Sequence, residues 1–247
     1  MFEDFTLEII YKDDYLVAIN KPSGLLVHKS MIDRHEIYYA MKILRDQIGQ
    51  WVYPIHRLDK PTSGVLLFAL DSESAKLMSE QFKKHTIQKT YIAVGRGYTP
   101  IKGIIDHALK EKLDKIADKD ISKEKEPQEA ITEFKLLDTV EINAAVGRYD
   151  KTRYSLVELK PKTGRKHQLR RHMKHMNHHI LGDTKYGRGE HNKFIRERYN
   201  MNRLLLHAIG LDILHPYTQE PLCLKASLDE TFKSIINEFG WKLDYNK

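Results

Sequence analysis

Short apolar runs broken by turn residues dominate the chain, with helix-like stretches between them. Leu7-Glu8-Ile9-Ile10-Tyr11 and Tyr15-Leu16-Val17-Ala18-Ile19-Asn20 predict two strands across the polar turn Lys12-Asp13-Asp14, and Lys21-Pro22-Ser23-Gly24 ends the second. Ile37, Met41, Leu44 and Ile48 share one helical face; Asp33 and Glu36 are spaced as a capping box ahead of them, and Gly49 is a fitting stop. The continuous run Val65 to Leu70 predicts a strand. Asp71 or Ser72 can cap the helix that follows, with Ala75, Met78 and Phe82 facing inward. Thr90 to Gly95 and Ser155 to Lys160 predict further strands, and strand-like sequence also resumes at Ile131. Thr163-Gly164 leads into a predicted helix from about Arg165 to His175. A last helix is predicted with Ser227 as its cap. Leu228, Phe232, Ile235, Ile236 and Phe239 form its apolar face, and Gly240 its end. Residues 110–128 are mostly charged and are read as an exposed loop within the domain. Strands close enough for hairpins, mixed with helices, predict an α+β fold.

A chain of 247 residues suits one large domain or two small ones and can bury a sizeable core. Its 41% hydrophobic and 30% charged content fit a globular protein. No segment approaches the roughly 18 to 20 apolar residues that span a bilayer. Met1-Phe2-Glu3-Asp4-Phe5 lacks a basic leader, so no secretory signal is expected. A single cysteine, Cys223, excludes an internal disulfide and a cysteine-based zinc site. Together these predict a cytoplasmic protein. Net charge is +7, but residues 160–203 hold 13 Lys and Arg against 3 Asp and Glu, which leaves the rest of the chain at −3. One basic region on a mildly acidic protein suits a polyanion such as RNA or DNA.

The chemistry concentrates in His56-Arg57-Leu58-Asp59-Lys60-Pro61-Thr62-Ser63-Gly64. Asp59 stands on a Pro- and Gly-bearing turn, flanked by basic residues that favour its ionised form. An Asp in such a place can equally serve the turn itself. His167, His172, His175, His178 and His179 form a histidine-rich stretch, but interleaved Arg and Lys oppose a cation and no HExxH occurs. No metal is expected, and RNA contact or packing is the better reading. Gly182 to Gly189 has the glycine spacing of a phosphate loop without its closing Lys-Ser/Thr. No GxGxxG occurs, and nothing calls for a cofactor.

Three distant segments carry a family resemblance. The Asp59 string resembles the HRLDxxTSG signature of the RluA family of RNA pseudouridine synthases. Gln88-Lys89-Thr90-Tyr91-Ile92-Ala93-Val94 is similar to that family's KxYxAxV strand, and Thr163-Gly164-Arg165-Lys166-His167-Gln168-Leu169-Arg170-Arg171-His172 to its TGRxHQ(I/L)RxH. Asn20 to Gly24, Leu181 to Gly187 and Leu206-His207-Ala208 match further, in order and spacing, and the resemblance runs from about residue 7 to about residue 240. Finer features resemble a tRNA-acting branch that modifies U65. They are Leu113 to Lys119, the doubled Arg170-Arg171, and the start at the first strand with no S4-type RNA-binding domain expected ahead of it.

The resemblance implies a single catalytic domain over residues 1–247, with a mixed, mainly antiparallel sheet, flanking helices and a central RNA-binding cleft. It implies that uracil is detached from ribose at N1 and rejoined through C5, once the base has left the stack. Asp59 would be the catalytic carboxylate. Arg170 would hold it charged and fixed, Leu169 would pack on the uracil, and Tyr91 would stack on the base and relay the C5 proton. Arg57 would fill the gap in the RNA stack. His56, Arg165, Lys166, His167 and Arg171 would contact substrate. The implied partner is RNA, foremost tRNA, taken by a monomer without membrane, metal or cofactor. An rRNA substrate, a non-catalytic RNA-binding module and a carboxylate glycosidase are the alternatives; for the last, Asp183 is the only remote second acid.

Overall fold

The computed structural model describes residues 5–29, 35–111 and 126–243. Its elements along the chain are β1 (Glu8–Lys12), β2 (Leu16–Lys21), α1 (Ala40–Ile48), β3 (Tyr53–Pro54), β4 (Ser63–Ala69), α2 (Ser72–Lys83), β5 (Gln88–Arg96), β6 (Lys102–Asp106), β7 (Ile131–Ile142), β8 (Thr152–Pro161), α3 (Gln168–His175), α4 (Gly189–Tyr199), β9 (Leu206–Leu214), β10 (Pro221–Lys225) and α5 (Glu230–Glu238). The strands form one ten-stranded sheet with the main path β1-β2-β4-β9-β5-β8-β7-β6, while β10 pairs with β9 and β3 with β4. All ladders are antiparallel except β4 with β9, where Ser63 and Gly64 lie beside His207 and Ala208. The α+β class and the mainly antiparallel sheet are as the sequence predicts.

The sheet is covered on both faces, which explains its uninterrupted apolar strands. In β4, Leu66 and Phe68 pack with α1 through Ala40 and Leu44. Val65, Leu67 and Ala69 face the other way, onto Met78 of α2. β5 and β8 repeat this split. Tyr91, Ala93, Val157 and Leu159 join Leu169 and Met173 of α3, whereas Ile92, Val94, Tyr154 and Leu156 meet Ile195 of α4 and Phe232, Ile235 and Ile236 of α5. Thus α1 and α3 share one face of the sheet, and α2, α4 and α5 the other.

Several local expectations change. α1 begins at Ala40 and not near residue 34; Ile37 lies outside it, 63% exposed, and Glu36 pairs with Lys60 at 2.8 Å. Asp33 lies outside the described residues, as does most of the charged stretch 110–128, including Leu113 to Lys119. The described ends of that stretch are tied together, Leu109 and Gln128 exchanging backbone hydrogen bonds of 2.8 and 3.2 Å. α3 starts at Gln168, three residues later than predicted, because Gln168 Oε1 accepts the Arg165 N–H and the Thr163 hydroxyl and holds the preceding turn non-helical. Asp229, not Ser227, caps α5, accepting the Phe232 N–H. Asp71 caps α2 as expected, accepting the Ser74 N–H.

Candidate active site

The Asp59 turn ends where β4 begins, and Gly64 fixes how close it can come to β9. Gly64 has φ of +110°, and a Cβ there would stand 2.1 Å from the Ala208 carbonyl oxygen. Only glycine permits this approach. The turn is also held from below by Lys21, which is fully buried and donates to the carbonyls of Pro22 and Leu25 at 2.8 Å and of Lys60 at 3.2 Å. Burial, and next the Arg203 charge, bring the Lys21 pKa down to about 7, while Asp59 opposes the fall. Arg203 donates to Ser63 Oγ at 2.6 Å and pairs with Asp229 at the start of α5.

Tyr91 enters from β5. A bulge between Thr90 and Tyr91 shifts the β5–β9 register from Thr90↔Gly210 to Tyr91↔Ala208, and such bulges re-aim the next side chain. Tyr91 is buried, and burial together with the nearby Asp59 charge pushes its phenol well above the usual range. It is therefore protonated at neutral pH.

Arg170 comes from α3, whose first turn is anchored by Gln168 Nε2 donating to the Ile131 carbonyl and to Thr132 Oγ1 of β7. Arg170 is only 5% exposed. Its Nε and Nη2 donate to the two carboxylate oxygens of Asp183, each at 2.8 Å, and Nη1 donates to Asp59 Oδ2 at 3.0 Å. Burial opposes the Arg170 charge, but bonding to Asp183 and then to Asp59 outweighs it and raises the pKa. Burial likewise opposes the Asp183 charge; the Arg170 bonds and the N–H groups of Tyr186 and Lys185 outweigh it and lower that pKa. The Tyr186 ring lies 5.1 Å from the guanidinium, and its hydroxyl meets His167 Nδ1 at 2.9 Å.

The Asp59 side chain keeps 25% exposure. Its second oxygen, Oδ1, lies 3.8 Å from His167 Nε2, beyond hydrogen-bond range. Burial brings the His167 pKa down to about 4 against the pull of Asp59, so the ring is neutral near pH 7. One carboxylate oxygen is thus immobilised and the other remains available, beside a buried tyrosine and the apolar Leu58 and Leu169. That is a geometry for presenting a carboxyl oxygen to a bound base or sugar.

Of the residues singled out in the sequence, Asp59, Tyr91, Leu169, Arg170 and His167 come together. Arg57 is exposed beside them. Arg165 donates to the Glu129 carbonyl, Arg171 donates to the Lys110 carbonyl, and Lys166 is exposed. His56 departs from its expected place at the substrate surface. Its Nε2 accepts the Leu67 N–H at 3.1 Å and its ring stacks on Phe82 at 5.1 Å, so it braces β4 and α2. His172, His178 and His179 are also engaged by protein groups: Thr132 and the His107 carbonyl, the Arg96 carbonyl, and the Tyr186 carbonyl. Among the described residues no three His, Cys, Asp or Glu side chains converge as a metal site.

Two residues of the matching segments contribute in ways that the motifs do not reveal, Asp183 having been only a remote candidate for a second acid. Asp183 is the clamp on Arg170, which makes it an unsuitable second acid for glycoside hydrolysis. The near miss of a phosphate loop is the turn that carries it: Gly182, at φ +75°, brings its backbone so close to Arg203 that a Cβ would stand 1.8 Å from the Arg203 carbonyl oxygen. Lys21 is the other, and its place in Asn20-Lys21-Pro22-Ser23-Gly24 was the only available signal.

A mainly antiparallel sheet carries a carboxylate, a clamped arginine and a buried tyrosine on one face, and the class of enzyme to which such a chain belongs, one that modifies RNA, is given by its relatives. The family model described as RNA pseudouridylate synthase matches residues 15–175, and the chain belongs to that family, as the RluA-type motifs imply. Among its relatives, the tRNA pseudouridine synthase C of Vibrio parahaemolyticus is 54% identical over 235 residues, covering 95% of this chain and 96% of that one. The tRNA pseudouridine synthase C of Haemophilus influenzae is 55% identical over 236 residues, covering 96% and 99%. The solved structure of human RNA Pseudouridylate Synthase Domain Containing 4 is 27% identical, with a TM-score of 0.70, covering 96% of this chain and 94% of that one.

Proposed function

We propose that this enzyme converts a specific uridine of tRNA, U65, to pseudouridine, with Asp59 as the reacting carboxylate. The observation that carries the reading is the union of Asp59, Tyr91 and Arg170, drawn from three distant segments, around one half-shielded carboxylate. Asp59 acts near C1′ or C2′ as the N1 bond breaks. Arg170 is a positioning residue that holds Asp59 oriented through its Nη1. Tyr91 stacks on the flipped base; its phenol oxygen accepts the C5 proton as its own hydroxyl proton passes to solvent water, so the net transfer is from C5 to water. Leu169 packs against the uracil, and Arg57, exposed at the rim, fills the gap left in the RNA stack. The basic residues 160–203 contact phosphates. The tRNA assignment is supported by the names of the relatives above 50% identity. The same reading makes the enzyme a cytoplasmic monomer that needs neither metal nor cofactor.

The test is tritium release from C5-labelled uridine in tRNA and in 23S rRNA, with the parent protein and with Asp59→Asn. Release from tRNA alone, lost in the variant while tRNA affinity stays within a few-fold, is the expected result. Near-normal turnover by Asp59→Asn would refute the mechanism. Release from rRNA would transfer the substrate, and retention of the base on the RNA excludes hydrolysis. Mapping the modified nucleotide checks U65.

A further inference from the structure

The site as described leaves Lys89 without a task. The β5–β8 ladder ends at Tyr91↔Leu159, and nearer the start of β5, Gln88 and Lys89 pair only with Asp212 and Leu211 of β9. β8 meanwhile runs on to Pro161, paired with Thr132 of β7. The two strands part, and the wedge between them is a cavity of about 290 Å³ whose lining includes His85, Lys89, Lys160 and Lys162. Lys89 lies two residues from Tyr91 along β5, across the bulge between Thr90 and Tyr91. The wedge adjoins the Thr163-Gly164 turn that leads to Arg170, since Lys89 Nζ reaches the Thr163 carbonyl.

The lysines of this wedge differ in their counter-charges. Lys160 holds Glu158 at 3.2 Å, and Lys162 holds Glu133 at 2.9 Å. Lys89 has no carboxylate partner among the described residues; its Nζ has one long contact, 3.4 Å, to the Thr163 carbonyl. Burial lowers its pKa with no acidic group offsetting the fall. A half-buried ammonium without an anion is costly to maintain unless a ligand supplies one. Gly164, in the turn that leads to Arg170, lies against the ammonium: a Cβ there would stand 3.8 Å from Nζ, in contact with it.

We propose that Lys89 and the wedge around it bind a backbone phosphate of the RNA strand next to the flipped uridine, an inference that rests on the RNA-modifying role above. The phosphate supplies the missing counter-charge and fixes the strand two residues along β5 from the tyrosine that receives the base. This is a positioning contact, blind to base identity.

The experiment measures tRNA affinity across salt in the Asp59→Asn protein, which binds without turnover, alone and with Lys89→Met or Lys89→Arg added. Lys89→Met keeps the aliphatic stem and removes the charge. Loss of one phosphate contact makes the slope of log K against log salt shallower by about 0.7 to 0.9. Lys89→Arg restores the slope. An unchanged slope in Lys89→Met, with a sloped parent, overturns the phosphate subsite and leaves the RNA role standing. A flat salt response in the parent overturns both.

Discussion

Asp183 grips Arg170 through two nitrogens and leaves the third for Asp59. The guanidinium has one orientation as a result, with its plane set by a bidentate pair that is nearly sealed from water. Asp59 meets a fixed donor and not a searching side chain. The proposed reacting carboxylate thus inherits its placement from a second, buried carboxylate.

Removing that second carboxylate is therefore expected to damage both stability and turnover. Asp183→Asn leaves Arg170 paired with Asp59 alone, and breaking a buried ion pair costs about 3 kcal/mol or more. For a chain of this size that lowers the melting temperature by roughly 6 to 12 °C. The pH dependence follows from the lowered pKa of Asp183. The folded protein binds this proton less readily than the unfolded chain, so the stabilisation is complete above the unfolded carboxyl value of about 3.9 and fades as pH falls through the folded one. Denaturant melts of parent and variant should differ most at neutral pH and converge in acid. A constant gap across that range would contradict the assignment.

Tyr91→Phe separates stacking from proton relay. The ring stays to receive the base, so tRNA affinity should hold. Loss of the hydroxyl should slow C5 tritium release by about 100- to 10,000-fold, the usual span for a positioned acid–base group. Stacking alone as the function of Tyr91 would leave the release rate near that of the parent.

Gly64→Ala tests the seat of the Asp59 turn. The added methyl would meet the Ala208 carbonyl at 2.1 Å on a backbone with φ of +110°. Neither strand can yield without losing the β4–β9 junction, so a loss of about 3 kcal/mol or more is expected, read as a lower melting temperature or an insoluble product. Gly24→Ala is the comparison: it is also at positive φ, +87°, but its Cβ would meet nothing within 4 Å. It should cost distinctly less.

Lys21 gives a pH signature at the opposite end of the scale. Its folded pKa, brought down to about 7, lies far below the roughly 10.4 of a free lysine. The unfolded chain binds the proton more tightly, so stability attributable to this group is complete above about pH 10 and is lost as pH falls through about 7. Relative to Lys21→Met, the parent should gain stability between those limits. Equal pH profiles would mean that Lys21 is solvated in the folded protein.

Strands with uninterrupted or alternating apolar runs were legible in the sequence, and β2, β4, β5 and β8 appear close to where the pattern puts them. β9 was not assigned a strand from its pattern, because Leu206-His207-Ala208-Ile209-Gly210-Leu211-Asp212 mixes buried polar and small residues with apolar ones. His207 is buried there through Ser63, at 2.8 Å, an arrangement visible only in three dimensions. α4 went unread because it offers the core little more than His191 and Ile195 among eleven residues. The start of α1 was misplaced because Glu36 prefers Lys60 to a helix cap. For the site, the residue types were legible through the motifs. Their roles toward each other were not: a separation of 111 positions between Asp59 and Arg170 leaves no periodic trace, and nothing in the sequence says that Asp183 faces Arg170.

The position of β9 has a consequence for how the enzyme is made. In the strand order, β1, β2 and β4 lie on one side of β9, and β5, β8, β7 and β6 on the other. Asp59 belongs to the first group, Tyr91 and Arg170 to the second. A chain emerging from the ribosome completes both groups before the strand that joins them. Until residues 206–214 insert between them, the carboxylate and the guanidinium have no common scaffold. The grouping of Asp59, Tyr91 and Arg170 is in this sense a late product of synthesis, complete only when β9 has been made.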